Sequence, residues 1–569
     1  MTGLADPKRE KPGFNPIHAA AIVLFTFLIY SNTLANGFIR DDNFEILGNP
    51  WIRDFSHMKP IFLSNYWAFK GQFSNYYRPV KQVVYAVIYG IFGIRQWGWH
   101  LANVLMHAAN SVLVYEIACL LIGGGWGALA AGLVFAAHPV HVESVAWVAG
   151  TSDTVPAIFA FAAFIVFIKF SRRDDASLTG RLVYFILEFL LLTAAFFSKE
   201  PAILMPAIFI VYDIFLNSSE KKSLRMIERY LPFVFAGALY LGMRFYVLGG
   251  LSGVNYNPAM GLGAVALNAI SYFGGYLWKA IFPVSLNAWD APPLVQSVFN
   301  ARFAVSALSA VLFAAFLIFS FRKNRKMFFA GILFMVPILP ALDLPALADP
   351  LLSERYLYIP LAGLSLIAGM IVDASLRRPA LKKYFIWALA ALLVFYSAGT
   401  LLRNRVWKNE ISLWSDTLSK SPDNMAVMVN YADVLKKNGR YGEAAAMYKK
   451  ALGQMPYSIK LHEYLGDALM LEGDNEGAVQ VFQEAISLNS GVPEIHYALA
   501  RAYLALHKPE AAIAEYRTVL GQRPDPAISR ELAGLLCRSG DKAGANALYS
   551  QALSMDNSAN QSAGQASCQ

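Results

Sequence analysis

An acidic pair follows the first long apolar segment of the chain. That segment runs from Ile17 to about Leu34, and the polar run Arg40-Asp41-Asp42-Asn43 comes a few residues later. Two neighbouring carboxylates near a low-dielectric boundary repel each other, so the pKa of one can rise into the range that suits a general base. The alternative is structural, because the same residues can begin a solvated loop or cap a helix. The spacing leaves both interpretations open and does not separate a base at Asp41 from one at Asp42.

A second polar run lies between two apolar segments. It reads HPVHVESVAWVAGTSD and carries His138, His141, Glu143 and Asp153. The His-x-x-His-x-Glu spacing is one that can ligate a metal ion. However, Pro139 breaks the helix inside the motif, and no fourth ligand is evident nearby. We therefore favour a polar pocket in which these side chains contact a sugar or a phosphate.

A third set of ionisable residues interrupts apolar sequence at two places. One is Ser198-Lys199-Glu200-Pro201, and the other is Ser353-Glu354-Arg355-Tyr356. The neighbours Lys199–Glu200 and Glu354–Arg355 can form ion pairs that only brace the helices. Alternatively, Lys199 and Arg355 bind a phosphate, for which the guanidinium fork is the better donor. Glu200 and Glu354 then belong to the polar pocket, and the sequence leaves the two interpretations equal.

Motifs of soluble cofactor chemistry do not occur in the sequence. There is no P-loop, no Gly-x-Gly-x-x-Gly after a strand and no nucleophile elbow. We expect no nucleotide cofactor. A divalent metal is possible but is not required by any pattern.

The composition indicates that membrane helices position these polar runs. Hydrophobic residues make up 56% of the 569 and charged residues 15%, against about 25% charged in soluble domains. The first 402 residues carry a net charge of +10, and the 167 residues from Arg403 onward carry −1. Lys and Arg in cytoplasmic loops explain the basic excess without a nucleic-acid partner. The cysteines Cys119, Cys537 and Cys568 show neither a disulfide framework nor metal-site spacing. We predict an all-α chain, a polytopic membrane helix bundle followed by a soluble domain, which excludes a soluble enzyme and a disordered protein.

Eleven apolar runs have the length of roughly 17–25 residues that crosses a bilayer. They lie near 17–34, 99–122, 126–146, 154–170, 182–198, 201–217, 231–250, 301–321, 327–342, 357–376 and 384–402. Two further apolar segments, near 78–94 and 263–286, carry polar or glycine interruptions, so we expect outer amphipathic or re-entrant helices there. The transmembrane domain is predicted at 17–402, after a cytoplasmic N-terminus at 1–16.

Basic residues give the predicted orientation. Four clusters lie in loops between spans: Arg172, Arg173 and Arg181; Lys221, Lys222, Arg225 and Arg229; Arg322, Lys323, Arg325 and Lys326; and Arg377, Arg378, Lys382 and Lys383. With eleven spans and a cytoplasmic N-terminus, all four clusters are cytoplasmic, as the positive-inside rule requires. The three polar runs and the C-terminal domain then lie on the outer side.

The C-terminal domain is repetitive. From Met425 a pattern recurs with a period of about 34 residues. A small, an aromatic and a second small or aliphatic residue recur in the second helix of each unit, at Ala444, Tyr448, Ala451; Ala478, Phe482, Ala485; Ala512, Tyr516, Val519; and Ala545, Tyr549, Ala552. We predict four tetratricopeptide repeats at 425–559, after a connecting helix at 403–424 and before a disordered tail at 560–569. Such solenoids bind peptides or proteins on a concave face.

The order of several short motifs resembles one known family. The motifs are FIRDDNFEILGNP, YYRPV, WGWHLANVLMHAANSVLVY, HPVHVESVAWVAGTSD, SKEPAILMP and ERYLYIP, followed by the repeats. In this order they are similar to the transmembrane and tetratricopeptide-repeat O-mannosyltransferases, members of the multispanning GT-C glycosyltransferases. The resemblance covers nearly the whole chain.

The resemblance implies an enzyme, its substrates and part of its site. By this resemblance the donor would be a polyprenyl-phosphate-linked sugar, with mannose as the candidate sugar, and the acceptor would be a hydroxyl, such as that of Ser or Thr in a protein engaged by the repeats. The catalytic carboxylate maps to Asp41-Asp42, with Asp41 as the base, and a ligand of the lipid phosphate maps to Arg355. A single displacement would invert the anomeric centre. The short N-terminus and compact loops suggest a bacterial relative, with site and repeats in the periplasm, or in an organelle lumen if the chain is eukaryotic.

Two other functions remain open at this stage. One is a non-catalytic membrane scaffold or assembly factor that recruits envelope proteins through its repeats. The other is a glycosyltransferase that modifies a lipid or a glycan. Substitution of Asp41 and Asp42 distinguishes the scaffold from both enzymes, because a scaffold does not need their carboxylates.

Overall fold

The computed structural model describes residues 13–172, 177–217, 224–250, 261–342, 352–556 and 568. Within these residues every regular element is helical and no strand occurs, which confirms the predicted all-α class. The chain divides into two compact units, Met1–Leu413 and Trp414–Gln569.

The first unit is a bundle in which α4 is central. Its helices are α1 (Pro16–Tyr30), α2 (Met58–Leu63), α3 (Pro79–Phe92), α4 (Gln96–Ile122), α5 (Trp126–Ala137), α6 (Val142–Ala146), α7 (Thr151–Ser171), α8 (Leu178–Phe196), α9 (Met205–Phe215), α10 (Leu224–Leu248), α11 (Leu262–Ile281), α12 (Ala301–Lys323), α13 (Arg325–Met335), α14 (Pro360–Leu376) and α15 (Pro379–Val406). Helix α4 packs against α1, α5 and α7, and α5 packs against α14. Short 3₁₀ turns connect several of these helices and carry most of the polar runs.

Eight helices in the described residues are long and apolar enough to cross a membrane: α1, α4, α7, α8, α10, α12, α13 and α15, some extended by a flanking turn. A ninth span results if α5 and the segment Pro139–Ala146, bent by 46°, are counted together. The sequence predicts eleven spans. The remaining two predicted spans, near 201–217 and 357–376, form helices that are shorter than predicted, because α9 has 11 residues and α14 has 17. Prolines explain both, since Pro201 and Pro206 precede or begin α9 and Pro360 begins α14. The predicted outer segments form α3 and α11.

The second unit consists of paired helices. After α16 (Glu410–Lys420), which starts in the first unit, the pairs are α17 (Met425–Lys437) with α18 (Tyr441–Gln454), α19 (Ile459–Glu472) with α20 (Asn475–Leu488), α21 (Pro493–Ala505) with α22 (Pro509–Gln522), and α23 (Pro526–Arg538) with α24 (Lys542–Asp556). The repeating residues fill the space between helices, as Ala478, Phe482 and Ala485 show by their complete burial. Gly466 is required there, because a Cβ at this position would collide with the ring of Phe482. The four predicted repeats are therefore present as four helix pairs.

A disulfide closes the end of the second unit. Cys537 on α23 is bonded to Cys568, with 5.7 Å between their Cα atoms, and the Cys568 N–H donates to Asn546 Oδ1 at 3.0 Å. The sequence analysis does not predict this pair, because two cysteines 31 residues apart match no recognisable disulfide framework. The rest of the predicted disordered tail lies outside the described residues. Cys119 has a free thiol.

Candidate active site

Residues 37–47, which contain the acidic pair, are called the acidic loop. Asp42 connects this loop to the turn before α7. Its side chain is fully buried, and its two carboxylate oxygens accept hydrogen bonds from the N–H groups of Ile39 (3.0 Å) and Ala149 (2.8 Å). Burial raises the pKa of this carboxyl well above its ordinary value, and the two N–H donors offset only part of that shift. With both oxygens occupied by backbone groups, Asp42 holds two segments together.

Asp41 differs from its neighbour in having an unoccupied carboxylate. Its side chain is half-buried, and no side chain or backbone group of the described residues bonds to it. Its charge acts on the guanidinium groups of Arg40 and Arg355. The backbone carbonyl of Asp41 accepts from the N–H groups of Phe44 (2.9 Å) and Glu45 (2.7 Å), which begins a π-helical turn at Asn43–Leu47. Such turns are frequent at functional sites.

A buried ion pair connects the π-helical turn at Asn43–Leu47 to α3. Glu45 is bonded to Lys81 of α3 at 2.7 Å and accepts from the Tyr85 hydroxyl at 3.1 Å. The sequence analysis missed this pair, although a lysine within the apolar segment near 78–94 was a visible signal. The acidic loop is therefore held against α3 as well as against the turn before α7.

Arg355 reaches the same region from the turn before α14. Its Nη1 lies 3.0 Å from Oε1 of Glu143, and its backbone N–H donates to Oε2 of the same carboxylate at 3.1 Å. Glu143 is buried, whereas the Arg355 side chain keeps 25% of its surface exposed and lies 5.7 Å from the Trp147 ring. Burial alone would lower the pKa of the Arg355 guanidinium, but Glu143 and further acidic neighbours outweigh it and raise the pKa. Arg355 is thus a fixed, charged donor with an accessible side.

Lys199 is the second cation of the site. Its Nζ lies 2.5 Å from Oδ1 of Asp153 and 5.4 Å from the centre of the Tyr356 ring. Burial lowers the pKa of this lysine, and the charge of Asp153 offsets part of the effect. Lys199 and Asp153 come from segments far apart in sequence that meet beside Arg355.

Ion pairs between sequence neighbours, one of the two interpretations left open above, do not form. Lys199 is paired with Asp153, while Glu200 accepts hydrogen bonds from both Nε and Nη2 of Arg78, with Nη2 2.7 Å from Oε2. Glu354 is fully buried between Lys279 (3.5 Å) and Arg403 (3.7 Å). Each side chain turns away from its neighbour because consecutive residues of an extended or 3₁₀ segment point in different directions.

Asp153, Lys199, Arg355 and Tyr356 line one cleft. Its remaining walls are apolar and rich in proline: Pro156, Pro201, Ala202, Met205, Pro337, Tyr358, Ile359 and Pro360. Two cations therefore stand together at a cleft with apolar walls. This arrangement fits an anionic group attached to an apolar chain.

The two predicted histidines do not line this cleft. His138 Nε2 is 3.0 Å from the carbonyl oxygen of Ala280, and its ring lies 4.6 Å from Tyr396. His141 is fully buried, with its ring 4.4 Å from Phe135 and 4.6 Å from Tyr358. Both lie in the packed interior next to the cleft. Their contact with a sugar or a phosphate stays a prediction.

His107 is a neighbour that the sequence analysis missed. Its Nδ1 lies 2.8 Å from the hydroxyl of Tyr358, whose side chain lines the cleft. The signal was present, because an ionisable residue in the middle of an apolar helix is costly. In the described part of the chain, no three His, Cys, Asp or Glu side chains converge as a metal site would require. Glu143 in particular is committed to Arg355.

Family models match both parts of the chain. A dolichyl-phosphate-mannose-protein mannosyltransferase model matches residues 78–244, which contain Glu143, Asp153 and Lys199 but neither Asp41 nor Arg355. Two tetratricopeptide-repeat models match residues 432–493 and 469–536. The repeats predicted from the 34-residue period are thereby confirmed.

The chain is also similar to several curated protein O-mannosyl-transferases. The protein O-mannosyl-transferase tmtc2 of Xenopus laevis is 25% identical over 513 residues, covering 75% of this chain and 61% of that protein. Human protein O-mannosyl-transferase TMTC1 is 25% identical over 511 residues, covering 81% of this chain and 58% of that protein. This chain therefore spans about 60% of the length of these relatives. Among solved structures, the crystal structure of MamA is 19% identical and covers 26% of this chain and 87% of its own, with a TM-score of 0.25.

These matches agree with the resemblance seen in the sequence motifs. The chain is similar to dolichyl-phosphate-mannose-protein mannosyltransferases over residues 78–244 and to the TMTC protein O-mannosyl-transferases over most of its length, and it carries tetratricopeptide repeats after the first unit.

Proposed function

We propose that the chain is an integral-membrane GT-C-type glycosyltransferase. It moves a sugar, mannose by analogy with its relatives, from a polyprenyl phosphate to a Ser or Thr hydroxyl of a protein held by the repeats. The observation that supports this most directly is the carboxylate of Asp41, which has no bonded partner among the described residues and lies within the electrostatic reach of Arg355. A general base must be free to accept a proton.

The cleft supports a lipid-linked donor. Lys199 and Arg355 supply positive charge for the donor phosphate, and the proline-rich walls accept the first part of the isoprenoid chain. A polyprenyl phosphate joins one anion to an apolar chain, so the two kinds of wall match its two parts. Asp153 and Glu143 hold the two cations in place through ion pairs.

The reaction follows from these roles. The acceptor hydroxyl gives its proton to the Asp41 carboxylate while its oxygen attacks the anomeric carbon. The bond between that carbon and the phosphate oxygen breaks, and the phosphate leaves with the electron pair. Arg355 and Lys199 stabilise the charge that develops on the leaving phosphate. One displacement of this kind inverts the anomeric centre.

Two observations favour the non-cytoplasmic face. The basic loops satisfy the positive-inside rule when the acidic loop and repeats are outside. The bond between Cys537 and Cys568 is of a kind that persists in oxidising compartments such as the periplasm or the endoplasmic reticulum lumen. The proposed site and the repeats then share one side of the membrane.

The test is a transfer assay with purified protein. Polyprenyl-phosphate mannose and polyprenyl-phosphate glucose are offered in parallel with candidate acceptor proteins, and mass spectrometry locates any added hexose. We expect hexose on Ser or Thr with one donor, and a sharply lower rate of transfer with Asp41→Asn. Absence of transfer and of donor hydrolysis, together with undisturbed binding of envelope proteins by the repeats, would favour the scaffold instead. Transfer to a lipid or glycan alone would correct the acceptor class.

A further inference from the structure

The segment after the last membrane helix is bonded to the acidic loop. Glu410, the first residue of α16, accepts hydrogen bonds at Oε1 from the Arg40 N–H (3.0 Å) and from Asn43 Nδ2 (3.3 Å). The Asn43 amide also donates to the Arg40 carbonyl at 3.3 Å. One carboxylate oxygen thus ties together the residues on either side of the acidic pair.

Two further contacts fix the junction between the segment 407–410 and the acidic loop. The Gly37 N–H donates to the carbonyl of Lys408 at 2.9 Å. The Trp407 side chain is fully buried, and its ring stacks on Trp147 at 6.0 Å with an interplanar angle of 25°. The segment 407–410 is therefore packed against the acidic loop and against the turn that Asp42 holds.

Arg40 needs this support, because its backbone is in an unfavourable conformation. Its φ of +50° lies in the left-handed region, which a residue with a side chain rarely adopts. Its guanidinium carbon lies 5.2 Å from the Trp147 ring and 5.4 Å from the Trp289 ring. The N–H bond to Glu410 and the two rings together hold Arg40 in place.

Asp41 is consequently placed between two fixed residues. Arg40 is held by Glu410 and the tryptophan rings, and Asp42 is held by Ile39 and Ala149. Only the Asp41 carboxylate of this tripeptide has no bonded partner in the described chain. Such a base is aimed by its backbone, since no side-chain contact orients it.

We propose that Glu410 is a positioning residue for Asp41. This inference rests on the proposed function, and it adds a residue outside the three polar runs and outside the matched mannosyltransferase segment. Glu410 opens the helix that continues along the chain toward the repeats, so the acidic loop is set by the same segment that leads to the acceptor-binding part. Misplacement of a reacting group by about 1 Å can cost about 100-fold in rate.

The experiment compares Glu410→Ala and Glu410→Gln with wild type in the full-length protein. Alanine removes the acceptor of both bonds, so we expect kcat to fall about 10- to 100-fold while the donor KM stays unchanged. Glutamine keeps Oε1 as an acceptor for neutral N–H donors, so it should restore most of kcat. Glu228→Ala removes a partly exposed carboxylate of α10, which is paired with Arg181 and has no role in the proposed site, and serves as the control, with kcat expected at the wild-type level.

Amide hydrogen exchange over residues 37–47 gives a readout that does not depend on turnover. Glu410→Ala should accelerate exchange in this segment, and Glu410→Gln should not. An active wild type with unchanged kcat or unchanged exchange in Glu410→Ala overturns the inference and leaves the proposed function intact. A wild type that transfers no sugar to any acceptor overturns the proposed function, and the positioning role falls with it.

Discussion

At the scale of residues, identical side chains receive different tasks from their surroundings. Asp41 and Asp42 are adjacent, yet both oxygens of Asp42 accept backbone N–H groups while the Asp41 carboxylate has no such partner in the described residues. Sequence alone cannot make this distinction, because it depends on Ala149, more than a hundred residues away. The choice of Asp41 as base, which first rested on resemblance, now also has a geometric argument.

The first prediction separates the two aspartates by different measurements. Asp41→Asn preserves size but removes the basicity, so turnover should fall about 10²–10⁴-fold while the melting temperature and donor binding stay near wild type. Asp42→Asn replaces one accepting oxygen by an NH₂ group that faces an N–H donor. It should lower the melting temperature of the membrane unit, because a buried donor loses its partner at a cost of about 1–3 kcal/mol. Near-wild-type turnover in both variants would contradict the catalytic assignment.

The second prediction concerns the pH dependence of donor binding. The lowered pKa of Lys199 means that this lysine loses its proton at a lower pH than an exposed lysine. The donor phosphodiester keeps its charge over this range, so donor KM should rise as pH increases on the alkaline side of neutrality. Lys199→Arg keeps the charge at all these pH values and should give a flat KM profile. The same alkaline rise in the arginine variant would show that Lys199 does not hold the phosphate.

The types of residue in the sequence are enough to select much of the candidate site. They do not predict which side chains these residues contact in the fold. Asp41, Lys199, Arg355 and Asp153 were all selected as ionisable groups in apolar surroundings, and the structure brings the last three to one cleft. The contact of Arg355 with Glu143 joins residues 212 positions apart, which no local pattern encodes. For the same reason, the ion pairs of Glu200 with Lys199 and of Glu354 with Arg355, which the sequence allows, are not present in the structure.

At the scale of elements, the cleft lies where helices are interrupted. Pro156 lies within α7, while Pro201, Pro337 and Pro360 lie in or beside the short turns that flank α9, α13 and α14. Proline ends or bends a helix, because it lacks the N–H of the helical bond. Interrupted helices leave room for a ligand between their ends. Hydropathy finds the apolar runs but not these interruptions, which is why α9 and α14 are shorter than predicted.

The third prediction concerns the modular repeats. A chain that ends at Asn424 keeps Trp407, Glu410 and α16 but lacks all four helix pairs. Because each repeat packs mainly on its neighbours, the membrane unit should keep its melting temperature and its donor hydrolysis. Modification of protein acceptors should fall, since the repeats no longer raise their effective concentration.

A second truncation provides the matched comparison. A chain that ends at Val406 also lacks Trp407 and Glu410, so it should lose donor hydrolysis as well as protein modification. Unchanged glycosylation of protein acceptors by the chain ending at Asn424 would show that the repeats do not recruit them. Equal donor hydrolysis in both truncated chains would show that the junction does not affect the base.

At the scale of the whole molecule, two units of opposite character form one chain. The first unit buries its polar groups among apolar helices, and the second is a polar solenoid with a net charge near zero. The division at Leu413 follows the change in composition that the sequence shows near Arg403. The tail disulfide was the global feature that composition could not reveal, because it requires residues outside the periodic repeats.

The last prediction uses that disulfide to test the membrane face. A Cys119→Ser variant retains only Cys537 and Cys568, which are bonded to each other and should not react with maleimide before reduction. If the repeats are outside the cytoplasm, a membrane-impermeant reductant followed by an impermeant maleimide should label two thiols per chain in intact spheroplasts. Closure of the 31-residue segment should contribute up to about 3–4 kcal/mol, so reduction should also lower the melting temperature of the repeat unit. Labelling that appears only after the membrane is permeabilised would place the repeats in the cytoplasm. A cytoplasmic position would separate them from any acceptor modified on the outer face, and with it the proposed recruitment of protein acceptors would fail.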